Sequence, residues 1–117
     1  MTTKKGTIEI KQDSEVKLFL KPGLATTGEM DISFFHKESG EEEIENFNLE
    51  KGGVEINLSE KGIKTLNGFV FGFGKLFPLP GKEEILLNIE ITIDNKSVLI
   101  LKLEESLTKF MIRVNKV

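Results

Sequence analysis

Apolar side chains recur at every second position through most of this 117-residue chain. A two-residue period places alternate side chains on opposite faces of an extended strand, whereas an amphipathic helix requires a period near 3.6. The runs with this period are Ile8 and Ile10; Val16, Leu18 and Leu20; Met30, Ile32 and Phe34; Val54, Ile56 and Leu58; Ile89, Ile91 and Ile93; and Phe110, Ile112 and Val114. The pattern predicts a mainly β protein.

The spacing of the turn formers between these runs indicates about eight or nine short strands. The helix candidates are limited to Ser59–Leu66 and a turn near Glu104–Thr108. Neither is long enough for a crossover helix, so a parallel sheet is disfavoured. We therefore expect an all-β fold in which residues 1–117 form a single-domain antiparallel β-sandwich of jelly-roll or immunoglobulin-like type. At most one or two short helical turns are expected.

The charge balance and the cysteine count exclude several classes of protein. Sixteen basic and nineteen acidic residues give a net charge of −3, which argues against nonspecific nucleic-acid binding. The chain has no cysteine, so it has no disulfide and no thiolate metal site. The N-terminal segment lacks the apolar run of a signal peptide, and no segment reaches the roughly 18 apolar residues of a membrane span. A soluble cytoplasmic protein is expected.

A first hairpin is predicted from the complementarity of two neighbouring runs. If Ile10 pairs with Val16, the same register sets Glu9 opposite Lys17. Residues directly opposite in an antiparallel pair share a face, so apolar pairs would lie on one side and opposite charges on the other.

A second hairpin is predicted in the C-terminal half. Pairing Ile93 with Leu99 aligns the aliphatic residues and sets Glu90 opposite Lys102. This register requires the three-residue loop 95–97, in which Asn95 or Lys96 needs an unusual backbone angle.

The stretch NGFVFGFGKLFPLPG, Asn67 to Gly81, is rich in phenylalanine and glycine. Alternation places Phe69, Phe71 and Phe73 on one face, and because each ring buries about 150 Å² or more, we expect them at the centre of the core. Gly72 and Gly74 then lie on the opposite face. Interior glycines weaken a strand unless another backbone or a ligand approaches closely, so this face is a candidate interaction surface.

Two sequence motifs that the stretch resembles are rejected. It matches the aromatic octamer of RNA-recognition domains only at Gly68, Phe69 and Phe71, and the two helices of that fold are not predicted. The glycine spacing also differs from the dinucleotide-binding fingerprint.

The end of the stretch adds an apolar loop to the candidate interaction surface. Leu76, Phe77 and Leu79 lie around two prolines, which cannot continue a sheet ladder except at an edge. Such a loop either covers one end of the sandwich or protrudes toward a partner.

A second candidate site combines the single histidine, His36, with the acidic residues Glu41, Glu42 and Glu43. Carboxylate oxygens are ligands that calcium prefers, although the EF-hand pattern is absent. With a single histidine and no cysteine, the chain offers a poor set of ligands for zinc. No serine lies in the glycine-flanked turn that exposes a catalytic nucleophile. The chain therefore has no predicted catalytic set, no cofactor site and no transition-metal site.

These features predict a non-enzymatic binding or assembly module that contacts another protein, or a second copy of itself. The contact would use the glycine-rich face and the Pro-containing loop. One alternative is a carbohydrate- or small-ligand-binding domain that uses the loop of His36 and Glu41–Glu43, with calcium as an aid. A further alternative is a carrier of apolar ligands in which Phe69, Phe71 and Phe73 line a cavity.

Overall fold

A computed structural model of the chain describes residues 3–61 and 67–117. The described residues form nine β-strands and one short 3₁₀ helix, so the protein is all-β as predicted. The strands are β1 (Thr3–Ile10), β2 (Val16–Pro22), β3 (Thr26–His36), β4 (Glu42–Asn48), β5 (Val54–Asn57), β6 (Gly68–Pro78), β7 (Leu87–Ile93), β8 (Lys96–Leu103) and β9 (Leu107–Lys116), and the 3₁₀ helix is Leu58–Lys61.

The strands form two sheets that share one hydrophobic core. The five-stranded sheet has the order β1-β9-β6-β3-β4, and the four-stranded sheet has the order β5-β2-β7-β8. Buried aliphatic and aromatic side chains from both sheets make a single cluster. Because side chains alternate along a strand, each sheet contributes every second residue to this cluster.

The faces predicted for most runs are confirmed. The side chains of Met30, Ile32 and Phe34 on β3 are fully buried, as are those of the alternating residues of β9. In the Val54 run, Ile56 and Leu58 are buried and Val54 is partly buried.

One pair of strands is parallel, against the antiparallel arrangement expected throughout. β1 pairs with β9 in parallel, so that Ile8 lies beside Val114. The other pairs of neighbouring strands in the described part of the chain are antiparallel. A parallel pair needs a long connection but not a helical one. Here the connection is nearly the whole chain, because the first and the last strand are neighbours.

The first predicted hairpin is wrong. β1 and β2 belong to different sheets, so Ile10 does not pair with Val16, although both side chains are fully buried. The link between the strands turns at Asp13, which has a φ of 66°. Lys17 forms ion pairs with Glu15 at 3.2 Å and with Glu55 of β5 at 3.6 Å, and not with Glu9. In β1 and β2, alternation correctly predicted which side chains are buried, but it does not identify the neighbouring strand.

The second predicted hairpin is present with a register that differs by two residues. Ile91, and not Ile93, lies opposite Leu99. A bulge lies between Ile91 and Thr92, and the turn has positive φ at Asp94 (50°) and Asn95 (66°). A two-residue turn of this kind matches the twist of the strands better than the predicted three-residue loop. Because the shift is two residues, each side chain keeps its predicted face.

The predicted partner of Glu90 is also wrong. Ile100, and not Lys102, lies opposite Glu90 on β8. On its other side, across the pair with β2, the Glu90 carboxylate accepts a hydrogen bond from Lys21 Nζ at 2.5 Å. Hydrogen bonds from Lys21 and then from the Ser97 hydroxyl lower the pKa of Glu90.

The largest correction concerns β6, whose two faces are exchanged relative to the prediction. Gly72 and Gly74 face the core, whereas Phe71 and Phe73 on the outer face are 39% and 40% exposed. The glycines leave the space that large side chains of neighbouring strands fill. A Cβ atom added at Gly72 would lie 2.1 Å from Cε1 of Phe110, whose side chain is fully buried.

The helical predictions are met only in part. The 3₁₀ helix covers the first three residues of the predicted segment Ser59–Leu66, and residues 62–66 lie outside the described residues. The Ser59 hydroxyl accepts a hydrogen bond from the backbone N–H of Val16 at 3.1 Å, so Ser59 ties the helix to β2. Near Glu104–Thr108 the chain bends just before β9 begins at Leu107. In the described part of the chain, no helix is long and apolar enough to cross a membrane.

Candidate functional site

The glycines predicted to form an interaction surface lie inside the molecule. A Cβ atom at Gly74 would approach the backbone oxygen of Glu29 to 2.2 Å and the sulfur of Met30 to 2.3 Å. Leu76 is also fully buried. These three predicted positions therefore cannot contact a partner, because neighbouring strands of the core already occupy the space beside them.

The outer face of the same strand is aromatic. Phe69, Phe71, Phe73 and Phe77 project outward along β6, and exposure increases to 51% at Phe77. Phe69 packs beside Phe35 of β3, with 6.3 Å between the ring centroids. A row of partly exposed phenylalanines on a regular sheet is a rigid apolar surface, of the kind that marks interaction sites. We call the outward side of the five-stranded sheet, centred on Phe71 and Phe73, the aromatic face.

The aromatic face extends across all five strands. Residues directly opposite on neighbouring strands share a face, and the observed registers align them in rows. Read from β4 to β1, the rows are Glu42, Phe35, Phe69, Arg113 and Thr7; Ile44, Ser33, Phe71, Met111 and Lys5; Asn46, Asp31, Phe73, Lys109 and Thr3; and Asn48, Glu29, Lys75 and Leu107. The apolar centre is widened by Ile44, Met111 and Leu107, of which Ile44 is 65% exposed.

Charges of opposite sign flank the phenylalanines. The β3 and β4 side carries the carboxylates of Glu29, Asp31 and Glu42. The β9 and β1 side carries the cations of Lys5, Lys109 and Arg113. None of these six side chains forms an ion pair with another residue that the structure describes. The Asp31 carboxylate accepts a hydrogen bond from the side-chain amide of Asn46 at 2.7 Å, and the six charges have no partner of opposite charge among the described residues.

The predicted loop Leu76–Leu79 is partly tied to the body of the protein. The backbone N–H of Leu79 donates to the oxygen of Ala25 at 2.7 Å, and Leu79 is 37% exposed. Leu24, the residue before Ala25, is fully exposed. Phe77 thus continues the aromatic face to the end of β6, and the partly exposed Leu79 follows it in the chain, whereas Leu76 belongs to the core.

A recess lies at this end of the aromatic face. Its volume is about 130 Å³, and it is lined by Thr27, Gly28, Glu29, Asn48, Glu50 and Phe77. Gly28 has a φ of 150°, and a Cβ atom there would lie 2.2 Å from the backbone oxygen of Lys75. The backbone at this position thus requires glycine. The recess is large enough to accept one side chain of a partner.

His36 and the predicted acidic loop do not converge on one point. His36 is 8% exposed at the end of β3, and its Nδ1 atom has no hydrogen-bond partner among the described residues. Glu41, Glu42 and Glu43 are all exposed. Glu42 is opposite Phe35 and Glu43 is opposite Phe34, so their side chains leave β4 on opposite sides.

No metal centre is assembled from these residues or from others in the described ranges. Among residues 3–61 and 67–117, no group of three or more histidine, cysteine, aspartate or glutamate side chains could hold one metal ion.

The ion-pair partner of Glu43 was not predicted from the sequence. Lys61 Nζ, at the end of the 3₁₀ helix, contacts the carboxylate of Glu43 at 3.2 Å and also that of Glu45. The same ammonium lies 5.6 Å from the ring centroid of Phe34. Lys61 therefore holds the inward side of the edge strand β4. Charged side chains on the inward side of an edge strand also discourage pairing with a further strand.

Comparisons with known proteins add information about the fold only. No family model matches the chain, and no curated protein matches it. One solved structure is similar, a domain of unknown function (DUF4425) from Bacteroides vulgatus. The two chains are 13% identical, the TM-score is 0.50, and the match covers 89% of this chain and 97% of the other. At this identity the likeness concerns the arrangement of the strands and says nothing about a site.

Proposed function

We propose that this protein is a non-enzymatic binding or assembly module that contacts a protein partner through the aromatic face. The observation that carries the proposal is the position of Phe71 and Phe73, which are exposed on a strand whose inward side is kept small by glycine. Completely burying a phenylalanine side chain that was in water contributes about 1.5–3 kcal/mol, and the 39% and 40% of Phe71 and Phe73 that are still exposed correspond to a part of that value. Exposure of these two rings in the free protein is therefore a cost that a partner removes.

The composition of the aromatic face supports a protein partner. Aromatic residues, methionine and arginine are enriched in protein interfaces, and the polar rim usually surrounds an apolar centre. Phe71, Phe73 and Met111 form such a centre, and charged residues lie around it. The recess beside Phe77 adds a pocket for an anchoring side chain, a feature of interface hot spots.

For the architecture, we propose a β-sandwich of jelly-roll or immunoglobulin-like type in a single domain, located in the cytoplasm. The single core between two largely antiparallel sheets supports the sandwich. In an aligned sandwich the strands of the two sheets cross at about 30°. A crystal structure in which they cross near a right angle would exclude this type.

Affinity capture tests the proposed contact surface. We expect that the wild-type protein captures a partner from extracts of its own cells, and that the double variant Phe71→Ser, Phe73→Ser captures at least about tenfold less, because hot-spot truncations cost about 2 kcal/mol or more. Mass spectrometry of the captured proteins is the measurement.

The matched control is Val98→Ser, Ile100→Ser, which removes two exposed apolar side chains from β8 in the other sheet. This control should capture the same partner as the wild type. If the two double variants behave alike, the aromatic face is not the contact surface.

A further inference from the structure

The charges on the aromatic face are arranged so that the face is complementary to itself. The row through Phe73 has Asp31 on one side and Lys109 on the other. The row through Phe69 has Glu42 toward β4 and Arg113 toward β1. In both rows the acidic residue lies on the β3 and β4 side and the basic residue on the β9 and β1 side.

If two copies are related by a two-fold axis parallel to β6, the acidic side of each copy faces the basic side of the other. When two copies meet face to face about such an axis, β6 lies over β6 of the second copy, and the β3 side of each copy lies over the β9 side of the other. The same patch then serves both copies, as in any isologous dimer. Phe71 and Phe73 meet their own counterparts, and Asp31 of each copy lies opposite Lys109 of the other.

Lys75 is the one charged residue that lies on β6 itself and so meets its own counterpart. Glu29 is its direct neighbour on β3 and supplies one negative charge per copy at the same level. The four charges at this end therefore sum to zero. The alternative is a two-fold axis that lies in the plane of the interface but runs perpendicular to β6. Such an axis places the β3 side of one copy over the β3 side of the other and so brings Asp31 toward carboxylates of the second copy. Like charges that face each other across an interface are unfavourable.

The size of the aromatic face is adequate for a dimer. Five strands about 4.8 Å apart are about 24 Å wide, and the length from Phe69 to Phe77 is about 26 Å at about 3.3 Å per residue. The product is roughly 600 Å² as an upper value, because β1 extends only to the level of Phe73 and β9 to that of Lys75. An area of about 600 Å² per partner is at the lower end of the standard interface size. The apolar centre and charged rim have the layout of such interfaces.

We infer that the partner of the aromatic face is a second copy of this chain, held face to face about a two-fold axis parallel to β6. This inference rests on the proposed function, which it makes specific. Apolar contacts between Phe71 and Phe73 of the two copies contribute the affinity, and the pairs formed by Asp31 and Lys109 set the orientation.

Complementary charge reversals test this geometry. Asp31→Lys alone sets two lysines opposite each other at both symmetry-related contacts, and Lys109→Glu alone sets two acidic residues there. We expect each single variant to dimerise about 100-fold more weakly than the wild type, since like charges that face each other across an interface repel. In an equimolar mixture of the two variants, every contact joins a cation to a carboxylate. The mixture should therefore form a heterodimer with an affinity within about tenfold of the wild-type dimer.

Sedimentation velocity over a wide range of concentrations gives the dissociation constants, with circular dichroism as the check on folding. The matched controls are Lys102→Glu and Glu104→Lys, charge reversals at exposed positions away from the aromatic face. They should dimerise as the wild type does. The inference is overturned if the wild type is monomeric throughout, if single reversals do not weaken the dimer, or if mixing restores nothing.

The two proposals fail in distinguishable ways. A monomeric wild type that still captures another protein through Phe71 and Phe73 would overturn the self-association and leave the proposed function standing. Capture and self-association that are both unaffected by Phe71→Ser, Phe73→Ser would overturn the proposed function as well.

Discussion

Gly72→Ala is expected to lower the free energy of unfolding by about 3 kcal/mol, whereas Phe71→Ala, one residue away, is expected to lower it by about 1 kcal/mol or less. The new methyl group at Gly72 would lie 2.1 Å from the ring of Phe110, which is fully buried, so the substitution requires the ring or the backbone to shift within the packed core. Phe71 is 39% exposed and loses only part of its contacts. Urea denaturation measures both values.

A compensating substitution shows whether the clash is the cause. Phe110→Leu replaces the ring that the methyl group would meet with a smaller side chain. In that background, Gly72→Ala should lower the free energy of unfolding clearly less than in the wild type. If Phe71 were instead a core residue, its truncation would cost about 3–5 kcal/mol and Gly72→Ala would be nearly neutral. That result would indicate that β6 has the opposite orientation, with Phe71 and Phe73 facing the core.

The second large effect is a stabilisation by a disulfide between the first and the last strand. Thr7 and Arg113 are direct partners in the parallel pair of β1 and β9. Because the chain has no cysteine, the double variant Thr7→Cys, Arg113→Cys has only one way to form an intramolecular disulfide. The bond would close a loop of about a hundred residues, and the chain-entropy account assigns about 4.7 kcal/mol to such a loop. Denaturation with and without a reducing agent measures the gain.

The matched control for the disulfide is Glu9→Cys, Lys17→Cys, which tests the hairpin that the sequence alone suggested. Glu9 and Lys17 lie in different sheets, so this pair should remain reduced under the same conditions. A disulfide that forms readily in the control and not in Thr7→Cys, Arg113→Cys would contradict the pairing of β1 with β9.

The alternation of apolar residues was sufficient to predict strands and, for most of them, the buried face. It was not sufficient on β6, where both faces are apolar or small and either could be inside. Residue size favours the interpretation with Phe71 and Phe73 in the core. Which face of β6 is buried depends on Phe110 and Met30, which occupy the space beside Gly72 and Gly74. Their proximity becomes known only when the neighbouring strands are known.

Strand pairing shows the same limit. Local complementarity made a hairpin of Ile10 and Val16 attractive, because the charges also matched. The true neighbour of β1 is β9, more than a hundred residues away along the chain, and no local pattern indicates that contact. In the second hairpin, the turn at Asp94 and Asn95 decided the register, since a two-residue turn with positive φ at both residues fits the twist of the strands.

The structure places the residues predicted for the interaction surface partly inside the molecule and partly at its surface. Gly72, Gly74 and Leu76 are buried, and Phe77 and Leu79 are the two predicted positions that reach the surface. Phe71 and Phe73 were assigned to the core, and the structure places them at the centre of the aromatic face. The flanking charges come from four other strands, so their alignment with β6 appears only once the registers of the sheet are known.

Hydroxyl-radical footprinting with mass spectrometry is the most direct test of the central claim, the outward orientation of Phe71 and Phe73. The protein should be dilute and carry Asp31→Lys, which is expected to weaken the proposed self-association about 100-fold. We expect Phe71 and Phe73 to be oxidised readily and Phe34 and Phe110 to be protected, because the last two are fully buried. Equal protection of all four phenylalanines would contradict the orientation of β6 and, with it, the aromatic face.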